Sequence, residues 1–105
     1  MYSLNVVKPS RIKEYAKAFA PAAASLETWL KKAAHAEWSN LIEVKATINS
    51  VDQVTVASGR RVLVFNIAGN GFRLIVAAHF NRKTLYVLRF MTHAEYSKDK
   101  WKNEL

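Results

Sequence analysis

A chain of 105 residues, half of them hydrophobic, can bury one modest core and is expected to form a single domain over residues 1–105. It has no cysteine, which excludes disulfides, a thiol nucleophile and a cysteine-based zinc site, and no apolar run near the ~20 residues of a membrane helix. The net charge of +8 is uneven: residues 1–59 hold seven Lys/Arg against five Asp/Glu and residues 60–105 nine against three, so the basic second half points to a polyanion, nucleic acid first.

The opening "MYSLNVVKPSR" lacks the charged-then-apolar order of a signal peptide, so a soluble, cytoplasmic protein is expected, without a membrane partner. Within it "YSLNVV" reads as a strand. "KPSRIKEYAKAFAP" reads as a helix capped by Ser10, with Ile12, Tyr15, Ala16 and Phe19 on one face. Pro21 ends it and suits the first turn of the next helix. That helix is "AAASLETWLKKAAHAEW", with Leu26, Trp29, Leu30 and Ala33 as its apolar stripe and Lys31 and Lys32 outside. In the following stretch Ser39 is placed to cap a short helix carrying Leu41, Val44 and Lys45, and Asn49 to Asp52 read as a turn or loop. "RRVLVFNI", "GFRLIVAAHF" and "TLYVLRFM" are β-branched, aromatic-rich strands. Their links, "AGNG" and "NRK", are too short for crossover helices, so the strands should run antiparallel. The expectation is an α+β fold: two N-terminal helices packed on one face of an antiparallel sheet, then a short C-terminal helix.

Strand geometry turns this into a candidate site. With Gly69 and Asn70 at the centre of the first turn, Ile67 pairs with Phe72 and Asn66 lies opposite Arg73, on the same face. The third strand returns to that edge and ends in "FMTH". Asn66, Asn70, Arg73, His93 and Tyr96 therefore converge. "T-H-A-E" fits a capping box, in which Thr92 caps the next helical turn and Glu95 reaches back. The exposed amides of that helix start attract phosphate. The other histidines read as structural: His35 at a helix end and His79 at the far end of the sheet. With no metal-ligand spacing among the three, no metal and no cofactor is expected. Tyr15, Phe19, Trp29 and Phe65 read as core rather than as base-stacking platforms. Arg89 interrupts an apolar strand, and either pairs with an acid or faces the site.

"VFNIAGNGFRLIVAAHF" followed by "LRFMTHAEYSK" resembles the HigB-type toxins of bacterial toxin–antitoxin systems, relatives of RelE within the RelE/ParE-like fold. "WLKKAAHAEWSNLIEVKATINSVDQV" extends the resemblance to the family's second helix, its Trp-containing junction and the following Lys. Ala68 stands where the family often has Lys, Ser97 where it usually has Asp, and Phe72 where it often has Tyr. The resemblance implies a ribosome-dependent mRNA interferase, neutralised by a HigA-like helix-turn-helix antitoxin in a hetero-oligomer that binds operator DNA. It implies metal-independent cleavage through the RNA 2′-hydroxyl. Arg73 would stabilise phosphate charge, His93 would be the acid or base, and Tyr96 would orient RNA or share proton transfer. Asn66 and Asn70 would position substrate, and Lys45, Arg89, Lys98, Lys100 and Lys102 would contact mRNA or rRNA. The competing reading is a non-catalytic basic nucleic-acid-binding module, or a gyrase-inhibiting toxin on the same fold; fold alone does not choose.

Overall fold

Pro9 opens the first helix because its fixed φ suits a first turn, where the missing N–H loses no hydrogen bond. The computed structural model describes residues 5–105 and runs this helix, α1, over Pro9–Ala18. The N-cap is Lys8, left-handed at φ 60 and without a side-chain cap, so Ser10 lies inside the first turn and is not the expected cap. A 3₁₀ turn at Ala20–Ala22 carries Pro21 and leads into α2, Ala23–His35. Leu26, Trp29 and Ala33 are buried, Leu30 packs at the core margin, and Lys31 and Lys32 are exposed. This helix stops before the expected Trp38. Ala36 turns extended, which lets Trp38 fold into the core with its indole donating to Thr47 Oγ1 at 3.1 Å.

Helix α3 spans Leu41–Thr47 and buries Val44. Its cap is Asn40, not Ser39: Asn40 Oδ1 accepts from the Glu43 amide at 3.0 Å, and the Glu43 carboxylate accepts from the Ser39 amide at 2.6 Å. Asn is among the strongest capping residues, and Ser39 supplies the reciprocal partner instead.

Five strands follow the order β1-β5-β4-β3-β2, with β1 Asn5–Val7, β2 Asp52–Thr55, β3 Arg61–Ile67, β4 Phe72–His79 and β5 Thr84–Thr92. The β2–β3, β3–β4 and β4–β5 pairs are antiparallel as expected, but β1 runs parallel to β5, from Asn5↔Thr84 to Val7↔Tyr86. The sheet is therefore mixed: everything between β1 and β5 serves as the long connection that a parallel pair requires. Part of the expected first strand, residues 2–4, lies outside the described residues. Strand β2 replaces the end of the expected Asn49–Asp52 loop. Four mostly polar, mostly exposed residues give too weak an alternation to be read from sequence.

The sheet is covered on both faces. Leu63, Phe65, Ile67, Leu74, Val76, Leu85 and Val87 pack with α1 and α2, while Val62, Val64 and Ile75 pack with Trp101 from α5, Trp101–Glu104. A register shift between Ile75 and Val76, opposite Arg89 and Val87, leaves Leu88 as an extra residue in β5. This bulge inverts the alternation. Phe90 faces α1, stacking on Tyr15 and on Phe72, while Met91 joins the Trp101 face. Among the described residues, no helix is long and apolar enough to cross a membrane.

Candidate functional site

The β3–β4 link is a tight turn. Gly71 donates its N–H to Ala68 O at 3.3 Å, and Ala68 and Gly69 take positive φ of 53 and 69. The resulting register is Ile67↔Phe72 and Asn66↔Arg73, as the sequence predicts. Asn66 Nδ2 contacts Asn70 Oδ1 at 3.5 Å, which ties the strand to the turn.

Arg73 is only 8% exposed, and among the described residues it is the one buried polar or charged side chain. It alternates with Leu74 and Phe72, so it lies on the Trp101 face of the sheet. One guanidinium nitrogen, Nη1, donates to Asn70 O at 3.1 Å and to Phe72 O at 3.0 Å. No described carboxylate pairs with it. Its remaining nitrogens are not sealed in, since Trp29 Nε1 is the only fully buried side-chain donor without a partner among the described residues. A nearly buried cation that lacks an anion is costly on its own, and its open donors can take two oxygens of one anion.

Thr92 ends β5 and caps α4, His93–Ser97: its Oγ1 accepts from the Glu95 amide at 3.2 Å. Only half of the capping box forms, because the Glu95 carboxylate pairs with Lys98 at 3.2 Å instead of reaching back. The Thr92 backbone belongs to the β4–β5 ladder, opposite Phe72. The helix start offers less to phosphate than its sequence suggests. It has five residues, its His93 amide donates to Gly71 O at 2.9 Å, and its Glu95 amide is used by the cap.

That His93 bond stitches α4 to the β3–β4 turn. The His93 imidazole is exposed and makes no hydrogen bond to any described residue. Tyr96 is half-buried. The Arg73 guanidinium carbon lies 5.5 Å from its ring centroid, and the Trp101 ring stacks on it at 5.3 Å and 20°. Burial pushes the Tyr96 phenol above its ordinary range, against the opposing charges of Lys102 and Arg73. Such a phenol stays protonated near neutrality and serves as a hydrogen donor.

The expected cations divide. Arg89 pairs with Glu104 at 2.7 Å and sits opposite Ile75 on the Trp101 face, so it faces the site's side of the sheet and pairs with an acid as well. Lys98 pairs with Glu95, and Lys102 pairs with Asp99 at 3.1 Å while lying 5.8 Å from the Trp101 ring centroid. Lys100 is exposed at the start of α5 and lines a hollow with Arg89, Met91 and Glu95. Lys45 is exposed on α3, in a different element from this cluster. His35 ends α2 and His79 ends β4, where its ring meets Tyr86 edge-on at 5.1 Å. Trp29 and Phe65 are core, whereas Tyr15 and Phe19 are half-buried members of a ring cluster with Phe72 and Phe90. Trp101 and Glu104 are not among the site residues expected from sequence. A lone Trp amid lysines was the available signal, since a large apolar ring in a charged run needs something to cover it.

No curated protein matches the chain significantly. A family model described as HigB_toxin, RelE-like toxic component of a toxin-antitoxin system, matches residues 22–99.

Proposed function

This chain belongs to the HigB toxin family, the RelE-like toxic component of toxin–antitoxin systems, and from that premise we propose that it is a ribosome-dependent mRNA endonuclease, held inactive by a HigA-like antitoxin in the cytoplasm. The observation that carries this reading is Arg73: a nearly buried guanidinium with no described acidic partner, two carbonyls holding one nitrogen, and the other nitrogens open.

In the proposed reaction the RNA 2′-oxygen attacks the adjacent phosphorus. The bond from phosphorus to the 5′-oxygen breaks, leaving a 2′,3′-cyclic phosphate and a 5′-hydroxyl. Charge develops on the non-bridging oxygens, where the planar Arg73 fork fits. The neighbouring Tyr96 phenol, protonated near neutrality like any tyrosine, donates a hydrogen bond to the same phosphate. His93, exposed and free of described side-chain partners, exchanges a proton with the 2′-oxygen or the leaving oxygen. Because guanidinium and phenol supply the charge stabilisation, the reaction needs no metal. Lys100 and Lys45 steer RNA or rRNA, and the surface pair that Arg89 makes with Glu104 is weak enough to exchange for a phosphate.

The test is expression of this chain alone, with mapping of mRNA ends, beside Arg73→Gln. Gln keeps part of the buried stem and a donor but removes the charge. Growth arrest with new mRNA ends that need ribosomes on the transcript, and a loss of roughly 10²–10³ in cleavage rate for Arg73→Gln, are expected. Arrest without new ends, or with intact mRNA and blocked DNA supercoiling, would sink the nuclease reading.

A further inference from the structure

Trp101 lies beyond the stretch matched by the family model, residues 22–99, yet it is only 3% exposed. It touches Tyr96 twice. The two rings stack at 5.3 Å, and the indole N–H donates to the Tyr96 carbonyl at 3.1 Å. It shares a buried cluster with Val56 and with Val62, Val64 and Ile75, which lie on the sheet face that carries Arg73. The 101–105 segment is tied down separately: Ala57 N–H donates to Lys102 O at 2.9 Å, Arg89 grips Glu104 at 2.7 Å, and Arg60 Nη2 donates to Leu105 O at 3.4 Å. Tyr96 itself sits on a five-residue helix, too short to hold a side chain in place by its own hydrogen bonds.

We propose that Trp101 is a positioning residue: the 101–105 segment is a strap whose indole holds the Tyr96 ring against the Arg73 guanidinium, so that phenol and guanidinium address one phosphate. The proposal rests on the reading of Tyr96 as a group that acts on RNA. The physical argument is preorganisation. A phenol free to rotate away from Arg73 must be reoriented in every turnover, whereas a stacked one is already in place.

The decisive variants keep the core filled. Trp101→Phe retains a ring to stack, while Trp101→Leu retains apolar bulk without one. Each is measured alone and with Tyr96→Phe and Tyr96→Ala, on programmed ribosomes, at a temperature where melts show every variant folded. Trp101→Leu should lower kcat by about 10-fold with KM little changed, and Trp101→Phe should recover most of it, as expected for residues in contact. In the Tyr96→Ala background, Trp101→Leu should then change the rate by less than about 2-fold, because its target is gone. An absorbance titration gives a second readout: the Tyr96 phenol should ionise at lower pH in Trp101→Leu than in the parent. The same fold-loss in both backgrounds, or a folded Trp101→Leu as fast as the parent, overturns the positioning role. A parent that cleaves while Tyr96→Ala matches it would instead remove the premise about Tyr96, and a parent that cleaves nothing would remove the nuclease reading itself.

Discussion

Arg73, proposed above to act on phosphate, is also held by the fold. Its stem is buried and two backbone carbonyls hold its Nη1, so truncation to Ala would open a cavity and strand those carbonyls. His93 is the cleaner probe, because its exposed imidazole bonds to no described residue. We expect His93→Ala to melt close to the parent but to cleave roughly 10²–10⁴-fold more slowly on programmed ribosomes. Equal rates would leave the proton transfers to Tyr96. The tyrosines give a separate check. Burial holds the Tyr15 and Tyr96 phenols above their ordinary range in the folded state. A raised folded value means that the unfolded chain ionises first. The stability this contributes is fully present below about pH 10 and is lost as pH climbs through the raised values. Denaturant titrations should show stability falling above pH 10, and falling less steeply in the Tyr15→Phe/Tyr96→Phe double variant.

At the scale of elements, the β3–β4 turn and the α4 cap do different jobs. Ala68 holds φ 53, a left-handed conformation that a Cβ makes costly, just before Gly69. Ala68→Gly should relieve that strain and stabilise the fold by about 1 kcal/mol, raising Tm by ~4–8 °C for a domain of this size. Thr92 caps α4 through Oγ1 and stands opposite Phe72 in the sheet. Thr92→Ala should cost about 1 kcal/mol as a lost cap and lower Tm accordingly. Thermal melts of the two variants should move in opposite directions. Cleavage at matched folded fraction should fall modestly for Thr92→Ala, since α4 carries His93 and Tyr96.

For the whole molecule, the governing fact is charge. A net +8, concentrated after residue 60, gives the free toxin an electrostatic bias toward polyanions. We expect an antitoxin with an acidic segment to bind tightly and cover part of the edge formed by Asn70, Arg73 and His93. Co-expression with the neighbouring gene should give a co-purifying complex. Hydrogen exchange of amides 69–73 and 92–96 should slow in it relative to the free toxin. Unchanged exchange there would place inhibition elsewhere, in excluding the complex from the ribosome.

Much of this was legible in one dimension. Strong β patterning and short links specify β3, β4 and β5. Because opposed residues in a hairpin share a face, the turn register alone places Asn66 beside Arg73. The helical stripe of α2 and the Thr92 cap were readable for the same reason: both depend on neighbours three or four residues apart. What depends on distant contacts was not readable. The strand at β1 was readable but not its parallel pairing with β5, and four residues of β2 become a strand only because β3 offers an edge. The bulge at Leu88 inverts the alternation that β5 would otherwise keep, which fixes where Phe90, Arg89 and Met91 face. Sequence chose Arg73 and Tyr96 as residue types. Only the tertiary structure left Arg73 without a described acid, gave Glu104 to Arg89 instead, and brought Trp101 onto Tyr96, because pairing and burial are decided by which side chains meet in space.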